Sequence, residues 1–420
     1  MGLVALLGFG TVVLIAMLVL HGYLWWRLVR GTTRPGPVRR ALTALTVVLA
    51  VLPALAIGLR GTLPLQQAAP LDWVAYSWLG LAFYLFLALL VLEPVRAAMR
   101  LVSPSGARRA PRRRDDGAPR NRGTAPGRDV VRQDDDVMAL PRRVFLARSL
   151  AVTAGAVALG TAGTGAVIAN SAPVVRRVPI TLPRLDPALD GLRIVTFSDA
   201  HLSATYGGRR FERVVEIVNA QRPDVVAIVG DLVDGSVEEL RQDVAPLADL
   251  VSEQGVFFVT GNHEYFVDTL AWLRHLPTLG VEVLHNERVS IRRGTASFDL
   301  AGIDDRTAAG SGVPGQGADL DAALDGRDDS TPVVLLAHQP VMVEQARAAG
   351  VDLQLSGHTH GGQLWPFDYV IRLDQPAVQG WSRHGNTQLY VTAGAGYWGP
   401  PMRVGATPEV TVVELRAPRA

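Results

Sequence analysis

The sequence predicts a mixed α/β domain, a sheet covered by helices, preceded by four membrane-spanning helices. Three observations carry this reading. Long apolar runs without charge occupy much of the first 169 residues. From Leu192 onward, short apolar runs alternate with segments of helical period. The polar residues suited to chemistry in that second part stand directly after the short runs.

Composition sets the frame. With 48% hydrophobic and 19% charged residues over 420 positions, and a mean hydropathy of +0.20, the chain is too apolar to be wholly soluble and too charged to lie wholly in a bilayer. It is also long enough to bury a full core, which rules out disorder throughout. There is no cysteine, so disulfides, thiolate nucleophiles and cysteine zinc sites are excluded, and a metal must be held by His, Asp, Glu or Asn. All 41 basic residues are arginine and the net charge is +2.

The expected spans cover about residues 3–26, 41–59, 73–92 and 149–169, each near the ~20 residues that cross a bilayer. The first is interrupted only by His21, the second carries Pro53, and the fourth is rich in Gly, Ala and Thr. Trp25, Trp26, Trp73 and Trp78 fall near span ends, where amphipathic rings prefer the interface. Single runs of this kind can be buried core helices, but four of them separated by polar loops argue for spans. Arg27, Arg30, Arg34, Arg39 and Arg40 follow the first span, whereas the second connection offers Arg60 against Asp72. Arg96 to Arg143 holds thirteen Arg and six Asp among Pro, Gly and Ser, so residues 96–148 are expected to form a basic, disordered cytoplasmic linker. Basic loops stay inside, and everything after Ala169 then emerges on the outer face of the cytoplasmic membrane. Arg142-Arg143-Val144-Phe145-Leu146 before a weakly apolar segment resembles a twin-arginine export signal, or equally a positive-inside anchor, and both readings stand.

In the second part, 192–197, 225–229, 256–259, 333–336 and 353–355 read as strands, and 211–220, 237–252 and 341–349 as helices. This alternation gives crossover units and a substantial sheet. Asp304 to Ser330 reads as a surface excursion, and the tail from Gln388 to Leu415 as β-rich runs that could form a further sheet. Asp199 and His201 follow the first strand, Asp231 and Asp234 the second, Asn262 and His263 the third, His338 the next, and His358 and His360 the last. Strand carboxyl ends share one edge, where ligands bind, so these clusters can converge.

Taken singly, several have plain structural explanations. Asp199-Ala200-His201 is a common surface-turn pattern, although extended backbone points residues i and i+2 the same way. Gly230-Asp231-Leu232-Val233-Asp234 suits a turn, and Asn262 suits a helix cap. Gly357-His358-Thr359-His360-Gly361-Gly362 is harder to explain structurally, because alternate imidazoles framed by glycines serve chiefly as metal ligands. Five of the nine histidines stand in these clusters, which serves no packing purpose.

The ordered set, with Gly302-Ile303-Asp304-Asp305, His338-Gln339-Pro340 and Pro401-Met402-Arg403, resembles the calcineurin-like metallophosphoesterase superfamily in its membrane-associated bacterial branch, over about Leu192 to Leu415. The resemblance implies a metallophosphoesterase-type β-sandwich flanked by helices, over about 190–416. It implies that Asp199, His201, Asp231 and His360 hold one divalent ion, and that Asp231 bridges to a second held by Asn262, His338 and His358. His263 would protonate the leaving oxygen, with Asp234 orienting its ring; the alternative for Asp234 is an ordinary loop carboxylate. Arg403 is open between a phosphate and an aspartate partner.

Two such ions, with Mn²⁺, Zn²⁺ or Fe suiting the donor set, can hold a hydroxide between them for in-line attack on phosphorus. The expected function is hydrolysis of a phosphodiester, a lipid headgroup, a cell-envelope polymer or a nucleotide. A phosphomonoesterase or pyrophosphatase acting on a lipid or nucleotide is the alternative. A non-catalytic scaffold would be expected to lack ligands or His263, and none is missing. The basic linker is read as a membrane-side tether, and no nucleic-acid binding is expected beyond a possible substrate. Trp365, Phe367, Tyr369, Trp381, Tyr397 and Trp398 are either core or an apolar wall for a lipid or sugar phosphate.

Overall fold

A computed structural model of the chain describes residues 3–59, 62–102 and 142–418. The apolar runs fold as helices α1 (Leu3–Leu24, continuing as a wider turn over Trp25–Arg30), α2 (Pro37–Gly58), α3 (Leu65–Val91) and α5 (Arg142–Ala169), with the short α4 (Glu93–Val102) after α3. Among the described residues, four helices are long and apolar enough to cross a membrane. Residues 103–141, most of the expected linker, lie outside the described residues; Arg142 and Arg143 open α5. α3 begins at Leu65, ahead of the expected Trp73. Asp72, read as a loop residue, is buried within the helix near the second domain, so the helix carries a carboxylate.

The remainder forms β1 (Val174–Thr181), β2 (Arg193–Phe197), α6 (Gly208–Ala220), β3 (Val225–Val229), α7 (Val237–Val244), β4 (Val256–Val259), α8 (Thr269–His275), β5 (Val281–Val283), β6 (Glu287–Arg293), β7 (Ala296–Gly302), α9 (Leu320–Leu324), β8 (Val333–Leu336), α10 (Val343–Ala348), β9 (Leu353–Ser356), α11 (Asp368–Ile371), β10 (Gly380–His384), β11 (Thr387–Val391) and β12 (Glu409–Arg416). The strands make two six-stranded sheets, ordered β1-β12-β2-β3-β4-β5 and β10-β11-β9-β8-β7-β6. Each has a parallel centre, β2 to β5 in the first and β7-β8-β9-β11 in the second.

The two sheets face each other. Ile194, Val225, Ala227 and Val259 of one pack with Phe298, Leu300, Leu336 and Leu355 of the other. On the outer face of the first sheet, Phe211, Val214, Leu240 and Trp272 of α6, α7 and α8 cover Val195, Phe197 and Ile228. Ala323 and Ala346 of α9 and α10 pack beside Ala301 and Leu335 of the second. Central strands buried on both faces must be apolar at successive positions, which is why they read as unbroken runs.

Three sequence readings change. The helix expected over 237–252 stops at Val244 and continues as a 3₁₀ turn at Ala245–Asp249, where Pro246 cannot donate to the helical ladder. The β-rich tail does not form a sheet of its own, because β11 joins the second sheet and β12 the first. The excursion over Asp304 to Ser330 includes α9.

The domain sits against α3 and α5. Adding a Cβ to Gly80 would place it 2.6 Å from Met402 Cε, so glycine is what lets this contact close. Tyr84 Oη donates to Trp365 O (3.1 Å), Arg403 N to Gly165 O (2.9 Å) and Leu65 N to Glu239 Oε1 (3.2 Å). At the opposite end of the bundle Arg27 and Arg96 pair with Glu93 (2.5 and 3.1 Å).

Phe298 lies fully buried between the sheets. Phe298→Ala is expected to cost about 3–5 kcal/mol through the cavity it leaves, read as a lowered midpoint in a thermal melt of the detergent-solubilised protein.

Candidate metal centre

The loops that follow β2, β3 and β4 of the first sheet and β8 and β9 of the second meet at one edge of the sandwich. The convergence expected at the edge of a single sheet therefore occurs between two. The bends are tight. Among the described residues, eight non-glycine residues have positive φ, and five of them are Asp199 (53°), His201 (47°), Asp231 (52°), His358 (72°) and His360 (51°). Left-handed backbone costs energy in residues with a Cβ and persists only where surrounding contacts fix it. The close approach also requires Gly357, since a Cβ there would meet Ser198 Oγ and Asp199 Oδ2.

Three overlapping groups of side chains result. Asp199, His201 and His360 bring possible ligand atoms within 4.8 Å of one another, and so do Asp231, His338 and His358, and His201, Asp231 and His263. Asp231 and His201 belong to two groups each. His338 Nε2 lies 3.1 Å and His201 Nε2 3.7 Å from Asp231 Oδ2, and His360 Nε2 lies 3.5 Å from Asp199 Oδ1. His201 Nε2 and His360 Nε2 approach to 3.0 Å with the rings stacked. Asn262 sits between Gly261 and His263, whose backbone N–H donates to Asp231 Oδ1 at 2.8 Å. Asn262 Oδ1 and His358 Nδ1 are buried without hydrogen-bond partners. Buried polar atoms without partners are costly, and aimed electron pairs of this kind suit a cation.

Hydrogen bonds fix the rings. His338 Nδ1 donates to Val229 O (2.8 Å), which turns Nε2 toward Asp231. Asp234 Oδ1 accepts from His263 Nδ1 (2.6 Å) and lies 3.1 Å from His201 Nδ1, so one carboxylate orients both imidazoles. His263 packs edge-on against Phe266 and Trp398, at 5.1 and 5.3 Å between centroids.

Charge is distributed unevenly. Burial disfavours the charged form of every group here. At Asp231 the positive His338 and His263 overcome burial and hold the carboxyl well below its ordinary value. At Asp234, His201 and His263 do the same. Burial would depress His263, but Asp231 and Asp234 outweigh it and raise the imidazole to about 9. His358 falls to about 3, by burial and by the charge of His338, and His360 is lowered by burial and by His201. His358 and His360 are thus held neutral, the form that ligates metal. Burial would depress His338 as well, but Asp231 outweighs it and raises the imidazole, which would give up its proton to an ion that binds there.

A cavity of about 350 Å³ adjoins the cluster. Asp234, His263, Phe266 and Trp398 line one side, and Leu65 and Ala68 of α3 the other.

Residues 192–362 match the model of the calcineurin-like phosphoesterase family. The chain is 34% identical over 227 residues to an uncharacterized metallophosphoesterase of Aquifex aeolicus, covering 54% of this chain and 85% of that one. The chain belongs to the calcineurin-like metallophosphoesterase family. It is also 41% identical over 259 residues to a transmembrane protein with metallophosphoesterase domain of Danio rerio, covering 60% of this chain and 59% of that one. A Helicobacter pylori uncharacterized metallophosphoesterase is 38% identical over 245 residues, covering 58% and 64%. The chain thus spans somewhat over half the length of the first of these curated metallophosphoesterase relatives.

Two buried residues of this metallophosphoesterase domain support the cluster in ways the sequence did not reveal. Glu264 directly follows Asn262 and His263. Its carboxylate accepts from the backbone N–H groups of Gly261 (2.7 Å), Leu232 (2.8 Å), Asp231 (3.0 Å) and Val233 (3.3 Å), clamping the Asp231 loop to the Asn262 turn. Arg403 makes no ion pair with an aspartate among the described residues. Fully buried, it donates to Gly396 O (2.7 Å), His360 O (3.1 Å) and Gly394 O (3.3 Å), and it faces His360 Nδ1 at 3.3 Å.

Glu264→Gln puts an amide NH₂ among these N–H donors. It is expected to destabilise the protein by about 1–3 kcal/mol for each N–H left unpaired, and to lower metal content. Thermal melts and mass-spectrometric metal analysis of the purified variant check both.

Proposed function

We propose that this chain is a membrane-anchored, metal-dependent phosphodiesterase with its catalytic domain on the outer face of the cytoplasmic membrane. The observation that carries the reading is the overlap of two Asp/His groups at Asp231, with His263 beside them. Family membership gives the reaction class, and the orphaned Asn262 Oδ1 and His358 Nδ1 support a cation fit. In this reading Asp199, His201, Asp231 and His360 hold one divalent ion. Asp231, Asn262, His338 and His358 hold a second, the donor set suiting Mn²⁺, Zn²⁺ or Fe. Bound ions there supply an activated water and offset the charge on the phosphoryl oxygens.

The chain's own residues do the rest. Asp234 fixes His263 through Nδ1, leaving Nε2 to carry the proton. The water loses one proton to solvent as its oxygen bonds to phosphorus, and the P–O bond to the departing alcohol breaks. That alcohol oxygen takes the proton from His263 Nε2, which is re-protonated from solvent. The products are a phosphomonoester and an alcohol. The cavity beside His263 leaves room for the second esterifying group, which favours a diester substrate. Arginine after the first span and in the linker supports a multi-pass arrangement with those connections inside.

Hydrolysis of bis-p-nitrophenyl phosphate and p-nitrophenyl phosphate by the full chain in detergent, with and without chelator, tests this. The diester is expected to turn over faster, and chelator to abolish both activities. Asp231→Ala is expected to lose metal and activity together. His263→Ala is expected to keep its metal and lose about 10²–10⁴-fold in rate. Parental rates in both variants would overturn the proposal.

A further inference from the structure

The distances along α3 set the height of the pocket. Taking the charged end at Arg27, Glu93 and Arg96 as one face of the bilayer, the helix rises about 1.5 Å per residue. On that scale Gly80 stands about 20 Å up, Asp72 about 30 Å, and Ala68 and Leu65 about 40 Å. The hydrocarbon layer is about 30 Å thick, and about 40–45 Å with its headgroups. The Gly80–Met402 contact therefore lies at hydrocarbon depth, and the pocket wall formed by Leu65 and Ala68 lies in the far headgroup layer.

Exposed side chains agree with that placement. Trp365, whose carbonyl is bonded to Tyr84 of α3, is followed by Phe367, Tyr369, Val370 and Leu373, all about half exposed or more and reaching 86% at Leu373. On the same scale Tyr84 stands about 14 Å up, so this apolar patch, unusual in water, lies at lipid depth. Trp398 and Phe266, 47% and 64% exposed, stand against His263 in the pocket lining. The cavity is thus walled by a membrane helix on one side and by the proposed proton donor on the other. Its lining also carries Glu239 and Asp268, carboxylates that repel a freely diffusing anion and suit a cationic headgroup.

We infer that the substrate is a phospholipid of the same membrane with an amine-bearing headgroup, whose phosphate enters the pocket beside α3 from the headgroup layer. This rests on the phosphodiesterase reading and names its substrate class. The bonds made and broken are those given above, with the lipid as the diester. The exposed aromatic segment seats the domain against lipid, and Leu65 and Ala68 line the lateral entry.

The full chain reconstituted with phosphatidylethanolamine vesicles, compared with bis-p-nitrophenyl phosphate in the same preparation, tests the inference. Loss of the lipid diester signal in phosphorus NMR is expected. Leu65→Asp and Ala68→Trp are each expected to lower the ratio of lipid to bis-p-nitrophenyl phosphate hydrolysis at least tenfold. A phosphatidylethanolamine with a photoactivatable acyl chain is expected to label peptides containing residues 63–72 or 263–268 in the unsubstituted protein, a readout independent of turnover and of variant folding. Hydrolysis of bis-p-nitrophenyl phosphate without lipid hydrolysis or labelling overturns the inference and leaves the phosphodiesterase standing, and so does an unchanged ratio in both variants. If neither compound is hydrolysed in the presence of Mn²⁺ or Zn²⁺, both readings fall.

Discussion

The buried carboxylate of Asp231 is the constraint from which the rest of the site follows. A carboxylate removed from water is stable only if its charge is answered nearby, and here the answer comes from His201, His263 and His338, delivered by three separate loops. Those loops must bend sharply to arrive together, which explains the left-handed backbone at the cluster and the glycines packed against it. The two sheets exist, in this sense, to bring their edges to one point. The first supplies Asp199, Asp231 and His263, the second His338, His358 and His360.

Much of this was legible in the sequence because the central strands are buried on both faces and so read as continuous apolar runs, with the polar residues placed after them. What could not be read was the partition into two sheets. β6 and β10 lie at edges, each in a hairpin with the strand that follows it, and the polar residues alternating along them leave no unbroken apolar run to mark which sheet they join. β1 pairs with β12 across more than two hundred residues, a contact no local pattern encodes. Likewise Glu264 and Arg403 work through backbone groups, and a side chain that binds carbonyls or N–H groups leaves no complementary residue type to find.

The membrane part was legible in its existence and less so in its extent. Hydropathy marks where a helix can lie in lipid, and it says nothing of where the helix stops. α3 continues past the apolar run to Leu65, where the second domain meets it through Glu239 at Leu65 N and Arg210 over the Trp73 ring, while α2 packs against Ala75 and Tyr76. Further contacts make the span and the domain one packed unit through Gly80, Tyr84 and Gly165.

Arg403 gives that union a mechanical character. Its amide is fastened to the carbonyl of Gly165 in α5, and its guanidinium grips the carbonyl of His360. A single residue thus serves as a rivet between a transmembrane helix and an imidazole of the cluster. The backbone of α5 and the His360 turn are fixed to the same residue, so where that helix lies and where the imidazole lies are set together.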